Sequence, residues 1–206
     1  MAGWLLLCPL LAWSEDEDVL KRYVPRVREV PASEKTLNFG IVYASQWTYY
    51  LTAQHSIIKK QGSFENWHRN MFSPHFDKDS FDYNIFKHGV TGNYYYLWFR
   101  SRGYDRVEAF WWSFLSSLAF EFTVETATER PSYQDIYQTP VYGTVLGVGM
   151  EKLSIFFHGQ ESWWGHTLGY VLNPFPLIPQ WDEKYNFSYT PILSKEQKGL
   201  LVSYEF

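Results

Sequence analysis

The chain has 206 residues, and its 18 basic and 22 acidic side chains are dispersed along it and give a net charge of −4. This balance excludes a protein that binds nucleic acid through a concentrated basic face, and the length suits one domain with a real core. The single cysteine, Cys8, lies in an apolar N-terminal run, so the rest of the chain forms no disulfide and offers no thiolate to a metal.

The N-terminus has the pattern of a secretory signal peptide. A short apolar run from Gly3 to Trp13 is followed by an acidic cluster. Ala12 and Ser14 occupy the two small positions that a signal peptidase requires. We therefore predict a signal peptide over residues 1–14 and an exported protein.

The next two segments differ in composition. Residues 15–36 are charged and contain Pro25 and Pro31, which predicts a flexible, solvated leader. From Phe39 to Lys60 the apolar residues recur with a helical period, which predicts the first helix. Residues 64–82 then favour a short helical turn and a loop.

Two more helices follow with almost no connection between them. The first is predicted from Tyr83 to Arg102, and Gly103 stops it. Asp105 and Glu108 form a capping box for the second, which should run to about Thr128. Such a short connection predicts two antiparallel neighbours that pack along their length.

A further long helix is predicted from its cap, Ser132, to about Phe157. Pro140 should restart or kink it, because a proline breaks the hydrogen-bond ladder of a helix. Gly143 and Gly147 are four residues apart and leave a flat strip, so another backbone can approach this helix closely.

The last part of the chain changes from a helical to an alternating period. Apolar residues recur there at every second position, namely Tyr185, Phe187 and Tyr189, then Leu200, Val202, Tyr204 and Phe206. This pattern is typical of a β-hairpin. We therefore predict a mainly α protein, with a single bundle-like domain of four to five helices over residues 37–182 and a short C-terminal β-hairpin over residues 183–206.

Aromatic residues make up 20% of the chain, with 10 Trp and 16 Tyr. Their apolar bodies and polar tips suit membrane interfaces and binding surfaces. The mean hydropathy is nevertheless −0.32, and no stretch offers the ~20 apolar residues of a spanning helix. Contact with a membrane is therefore expected, and a conventional transmembrane span is not.

Several polar side chains fall on apolar helix faces and form a candidate polar cluster. Glu121 and Glu125 lie on the aromatic face of their helix, which is costly unless another group compensates them. The compensating groups could come from two other helices, and the predicted cluster comprises Asn84, His88, Tyr95, Glu121, Glu125 and Asp135, with Glu151 as a possible addition.

Three roles are possible for such a cluster, one structural and two functional, and the sequence leaves all three open. The cluster could be a buried hydrogen-bonded network that sets helix register. It could bind a divalent metal, with His88, Glu121 and Glu125 as the candidate ligands. It could also be catalytic, with a glutamate of raised pKa as general acid or base and the same three residues as candidates.

The ordered set of polar residues and glycines in the middle of the chain resembles a known family. The matching residues are Phe76, Asp77, Asp79, Asn84, His88, Gly92, Tyr95, Tyr96, Arg100, Gly103, Ser117, Glu121, Glu125, Pro131, Ser132, Asp135, Thr139, Pro140 and Gly143. They resemble the uncharacterised bacterial domain-of-unknown-function family three-nine-four-three over roughly residues 72–151. The resemblance implies an exported envelope protein, and it implies no particular reaction.

Two functional hypotheses follow. The first is a non-catalytic cell-envelope protein that binds membrane lipid or an envelope protein through its aromatic-rich surface. The alternative is an envelope enzyme, dependent on a metal or on carboxylates, that acts on a lipid or cell-wall substrate. An alternating strand that ends on an aromatic residue is typical of outer-membrane proteins, so we expect the periplasm or the periplasmic face of the outer membrane of a Gram-negative-type bacterium.

Overall fold

The computed structural model describes residues 22–160, 162–181, 186–193 and 198–205, and for Asn84 and the last two ranges it describes the backbone. The predicted signal peptide and residues 15–21 of the predicted leader lie outside the described residues. Within the described residues the chain is mainly α-helical, so the predicted fold class is confirmed at that level.

The structure divides the helical part of the chain into more segments than the predicted four to five. The helices are α1 (Ala32–Ala53), α2 (His55–Gln61), α3 (Phe64–Met71), α4 (Phe81–Asn84), α5 (Val90–Ser101), α6 (Arg106–Ala119), α7 (Tyr133–His158) and α8 (Trp163–Leu172). A π-helical turn at Ile85–Gly89 joins α4 to α5, and another at Phe120–Val124 follows α6. Short 3-10 turns lie at Glu125–Ala127 and Phe175–Leu177.

Two strands lie near the C-terminal end of the described residues. Strands β1 (Asn186–Leu193) and β2 (Lys198–Glu205) pair antiparallel, with Asn186 opposite Glu205. They form the one sheet in the part of the chain that the structure describes.

The prediction of a solvated leader is wrong for the residues that the structure describes. Tyr23 and Val30 are buried, and the backbone N–H of Arg28 donates to the carbonyl of Gly103 at 2.9 Å. Helix α1 begins at Ala32. The two prolines keep this segment out of helices and strands. They do not prevent the burial of its apolar side chains, because an extended segment can also pack against the core.

The residues that cap and end the central helices are those predicted from the sequence. Asp105 accepts a hydrogen bond from the N–H of Glu108 at 2.7 Å, and Ser132 accepts one from the N–H of Asp135 at 3.3 Å. Gly103 has a φ of +96°, the left-handed conformation that glycine adopts without strain. Helix α7 continues through Pro140, so the prediction of a restart is wrong.

Helix α8 was not predicted. It is a short helix in which Trp163 and Trp164 open an almost wholly apolar segment, so it lacks the polar face that would reveal a helical period. Ser162 caps it by accepting a hydrogen bond from the N–H of Gly165 at 3.2 Å. Among the described residues, no helix combines the length and the apolar content needed to cross a membrane.

Helices α5 and α7 approach each other at their backbones. A Cβ added to Gly92 would lie 1.8 Å from the carbonyl oxygen of Thr139, and one added to Gly143 would lie 2.2 Å from the carbonyl carbon of Gly92. Gly147 in turn accommodates the ring of Tyr96. The predicted close approach along the glycine strip is therefore confirmed.

The core combines aromatic packing with a buried ion pair. Tyr96, Leu97 and Phe99 of α5 are fully buried in the hydrophobic cluster. Beside them the guanidinium of Arg100 binds Glu151 of α7, with Nε 2.7 Å from Oε2. Glu151 is thus compensated by arginine and does not join the predicted polar cluster.

We predict that Gly143→Ala destabilises the protein by about 1–3 kcal/mol or prevents folding, because the new methyl group must displace the α5 backbone. Gly149→Ala is the matched control. It adds the same methyl group to the same helix, where a Cβ meets nothing within 4 Å, and it should raise stability by up to about 1 kcal/mol. Urea unfolding measures both. Equal effects of the two substitutions would contradict the close approach.

Candidate functional site

The two π-helical turns carry the central residues of the site. Ile85–Gly89 contains His88, and Phe120–Val124 contains Glu121. A π turn inserts one residue into a helix and interrupts the regular hydrogen-bond ladder, and such turns occur frequently at functional sites. Here each turn directs a polar side chain inward between α5, α6 and α7.

His88 is buried, with 5% of its surface exposed. Its Nδ1 lies 3.0 Å from the hydroxyl oxygen of Thr139, and its Nε2 lies 3.3 Å from Oδ2 of Asp135. Nε2 has no hydrogen-bond partner among the described residues. Burial, together with the positive charge of Lys87, lowers the pKa of His88 to about 4, so the imidazole is neutral near pH 7.

Asp135 lies in the first turn of α7 and is also buried. Its Oδ1 has no hydrogen-bond partner among the described residues. Burial raises the pKa of Asp135 to about 7, and the negative charges of Asp77 and Glu125 act in the same direction. A carboxyl group of this kind readily exchanges its proton for another cation near neutral pH.

Glu121 is buried more completely, with 1% of its surface exposed. Its Oε2 accepts a hydrogen bond from the backbone N–H of Ser132 at 2.9 Å. Burial raises the pKa of Glu121, and the negative charge of Glu125, one helical turn away, raises it further. The carboxyl groups of Glu121 and Glu125 influence each other's protonation, and one proton shared between them would relieve their repulsion.

His88, Glu121 and Asp135 converge, and we call them the buried triad. One ligand atom from each lies within 4.8 Å of the other two. The predicted metal ligands were His88, Glu121 and Glu125, so the structure replaces Glu125 with Asp135. Oδ2 of Asp135 lies 3.3 Å from Nε2 of the imidazole, whereas Glu125 does not belong to the set of ligand atoms that converge within 4.8 Å.

Glu125 connects the triad to an open groove of about 420 Å³. The groove is lined by Tyr50, Gln54, Ile57, Lys78, Asp79, Ser80, Tyr83, Lys87, Glu125 and Glu129. Burial raises the pKa of Glu125, although the positive charge of Lys87 opposes this shift. Burial alone would lower the pKa of Lys87, but the negative charge of Glu125 and a hydrogen bond with Tyr83 produce a net upward shift.

The other predicted members of the cluster lie in different places. Asn84 is on α4, and its side chain lies outside the described part of the structure. Burial raises the pKa of Tyr95, as do the charges of Glu121 and Glu125, whereas the side chain of Gln46 in α1 opposes the shift. Tyr95 therefore borders the carboxyl pair, while Glu151 binds arginine elsewhere.

The polar cluster predicted from the sequence did not include three residues that contact the buried triad or act on it electrostatically. Thr139 contacts the imidazole, the positive charge of Lys87 lowers the pKa of Glu125, and Asp77 accepts a hydrogen bond from the hydroxyl of Ser132. Thr139 could have been found, because it lies one helical turn after Asp135 and so shares its face.

The pKa shifts predict how the metal-free protein responds to pH. An acid whose pKa is raised in the folded state holds more protons there than when unfolded, so stability falls as pH rises from its ordinary pKa through the raised one. For Asp135 this window runs from about 4 to about 7, and for Glu121 it extends upward from about 4.5. His88, whose pKa is lowered to about 4, has the opposite effect below about 6.5 and none above.

We therefore predict that the chelator-treated protein loses stability as pH rises from about 6.5 to 8.5, and that Glu121→Gln flattens this slope because glutamine cannot ionise. Denaturant unfolding across this range measures the effect. Glu65→Gln, which removes a carboxylate from an exposed position, is the control and should leave the slope unchanged. An identical slope in Glu121→Gln would contradict the prediction.

Comparison with known proteins places the site inside a conserved domain model. The model for the family described as Domain of unknown function (DUF3943) matches residues 73–175, which begin before α4 and end after α8. The match includes every residue of the buried triad and extends beyond the predicted resemblance over 72–151. No curated protein and no solved structure matches the chain. The chain therefore belongs to the DUF3943 family.

Proposed function

We propose that the chain is a metal-dependent enzyme whose buried triad binds one divalent cation. The observation that carries the proposal is the convergence of His88, Glu121 and Asp135 with two buried ligand atoms, Nε2 of His88 and Oδ1 of Asp135, that have no hydrogen-bond partner among the described residues. Buried polar atoms are nearly always hydrogen-bonded. Atoms of this kind at the centre of a ligand set indicate a ligand that bonds to them.

The charge balance around the triad supports a cation. Glu121, Glu125, Asp135 and Asp77 interact with one another electrostatically, and Lys87 is the cation that offsets them. Burial, and after it the repulsion between these negative charges, raises the pKa values of Glu121, Glu125 and Asp135, so the carboxyl groups hold protons more tightly than in water. A divalent ion would replace those protons and stabilise the ionised carboxylates.

The ligand types favour a hard or borderline metal. One imidazole and two carboxylates suit Zn²⁺, Mn²⁺ or Fe²⁺, and three protein ligands leave room for water or substrate on the metal. The groups that hydrogen-bond to the proposed ligands also fit a metal site, in which such groups orient the ligands. Thr139 contacts Nδ1 of His88, so the tautomer with a proton on Nδ1 directs a lone pair at Nε2 toward the carboxylates. The Ser132 N–H orients Glu121.

A hydrolytic reaction follows most directly from these groups. A divalent cation lowers the pKa of a bound water and polarises an ester or phosphoryl oxygen. Glu125 is the candidate general base, because it lines the groove and lies one helical turn after the proposed ligand Glu121. Lys87, on the same groove, would stabilise negative charge on the substrate.

A purely structural network is the competing explanation. It would account for the hydrogen bonds of Thr139 and Ser132 but leaves the unpartnered atoms of His88 and Asp135 unexplained. The enzyme proposal accounts for both, and it therefore replaces the non-catalytic hypothesis as the function that the geometry supports best.

We also propose that this enzyme works in the cell envelope, as the N-terminal pattern and the family resemblance imply. The C-terminal hairpin is then a candidate contact with an envelope protein. A sheet of two strands has a free edge on each side, and an exposed edge can pair with a strand of a partner.

Because the triad takes no residue from β1 or β2, truncation before Asn186 should leave the helical circular dichroism and the metal content of the protein unchanged. Metal analysis and far-ultraviolet spectra of the two chains test this independence. Loss of bound metal on truncation would show that the hairpin contributes to the site.

The central prediction is one divalent metal ion per chain. Purified protein, incubated with Zn²⁺, Mn²⁺ or Fe²⁺ and desalted, should retain one equivalent by elemental analysis. At 100 times the dissociation constant, the metal should stabilise the fold by about 2.7 kcal/mol. The isosteric changes Glu121→Gln and Asp135→Asn should abolish both effects, because each removes a charged ligand.

The histidine ligand has its own matched control. His88→Gln should lose the metal, whereas His68→Gln, at an exposed position on α3, should retain it. Circular dichroism establishes that each variant is folded. Equal metal retention by His88→Gln and His68→Gln, or no metal bound to the unmodified chain, would refute the proposal.

A further inference from the structure

Helix α7 has its polar residues inside and its apolar residues outside. Its buried positions include Gln138, Glu151 and Ser154, whereas Val145 is 70% exposed and Phe156 is 44% exposed. A helix on the surface of a protein in water shows the opposite arrangement, with an apolar stripe toward the core and polar residues toward solvent.

Helix α6 has the same arrangement. Its buried face carries Ser113 and Ser116, whose hydroxyls donate to carbonyl oxygens within the helix, at Ala109 and Trp112. Its exposed positions include Trp111, which is 59% exposed. The sequence from residue 109 to residue 120 contains no charged side chain. Two neighbouring helices therefore share an apolar exterior.

Helix α8 extends this exterior. It buries Gly165 and Gly169 against the rest of the protein, while Trp163 is 82% exposed and Val171 is 68% exposed. Phe157 of α7 lies 6.4 Å, between ring centroids, from Trp164, so the exposed surfaces of α7 and α8 are continuous. We call the exposed apolar side chains of α6, α7 and α8 the apolar outer face.

Charge is almost absent from this face. Among the described residues from 141 to 172, the acidic or basic side chains other than histidine are Glu151 and Lys152. Glu151 is buried against Arg100, so Lys152 is the one exposed charge in that part of the structure. An interface with a protein usually has a polar rim and several hydrogen bonds, and this face offers few groups that could make them.

The way the helices associate points to the same surroundings. Helices α5 and α7 meet through Gly92 and Gly143, and small residues at helix contacts are the device by which helices pack when they are surrounded by lipid. The polar groups that water would otherwise solvate are turned inward. The exterior thus matches hydrocarbon and not water.

From these observations we infer that the apolar outer face lies against the surface of a lipid bilayer, with its side chains in the outer acyl region. Such a contact is interfacial, and helices that lie in the interface insert about 5–10 Å. The exposed indoles of Trp163 and Trp164 at the start of α8 suit the boundary between headgroups and acyl chains.

The inference is tested by flotation of the full chain with vesicles of pure phosphatidylcholine. The chain carries a net charge of −4, so apolar contact should dominate, and binding should be insensitive to salt between 0.05 and about 0.5 M. The double variant Trp163→Ser, Val171→Ser should lower the partition coefficient about tenfold or more, because both side chains are largely exposed and enter the lipid.

The matched control removes one exposed aromatic residue and one exposed valine elsewhere. Phe64 is 79% exposed and Val27 is 61% exposed, and neither belongs to the apolar outer face. The variant Phe64→Ser, Val27→Ser should bind vesicles as the unmodified chain does. All measurements are made with chelator present, so a failure of metal binding does not affect the result.

Three results would overturn the inference. The unmodified chain could fail to float with vesicles. The two double variants could bind equally well. Alternatively, sedimentation without lipid could show a dimer that only the Trp163→Ser, Val171→Ser variant loses, which would make the outer face a contact between copies of the chain.

Discussion

The backbone contact between Gly92 and Gly143 is the constraint on which the site depends. His88 lies one helical turn before Gly92, and Thr139 lies one turn before Gly143, so each shares a helix face with its glycine. When the glycines touch, the imidazole is held 3.0 Å from the threonine hydroxyl and 3.3 Å from Asp135. A side chain at either glycine would separate the helices and remove both contacts.

The carboxyl groups meet a different constraint, which is the cost of burying charge. Burial raises the pKa values of Glu121, Glu125 and Asp135, so in the absence of a cation they retain protons that they would lose in water. Evolution could have removed this cost with apolar residues, as it can for many buried ion pairs. An arrangement that keeps three acids beside a neutral imidazole is better explained by the proposed metal ion than by stability.

The helices bury polar residues and expose apolar ones, so the polar interior and the apolar exterior have the same origin in the sequence. Glu151, Ser154 and the triad occupy positions where a water-soluble bundle would have leucine or valine, and Val145, Phe156 and Trp163 occupy positions where it would have lysine or glutamate. A lipid surface makes this distribution favourable on both counts, because it solvates the exterior and excludes water from the polar centre. The proposed metal centre and the proposed lipid contact are thus physically compatible, and each is based on separate observations.

The sequence by itself determined the helical class, the caps at Asp105 and Ser132, the stop at Gly103 and the presence of buried acids on one face, because these depend on spacing within a single segment. Only the tertiary structure decided that Asp135 and not Glu125 completes the triad and that Glu151 pairs with Arg100. It also introduced the two π turns that rotate His88 and Glu121 inward. Periodicity specifies which residues share a face, but which faces meet depends on how closely backbones about fifty residues apart can approach.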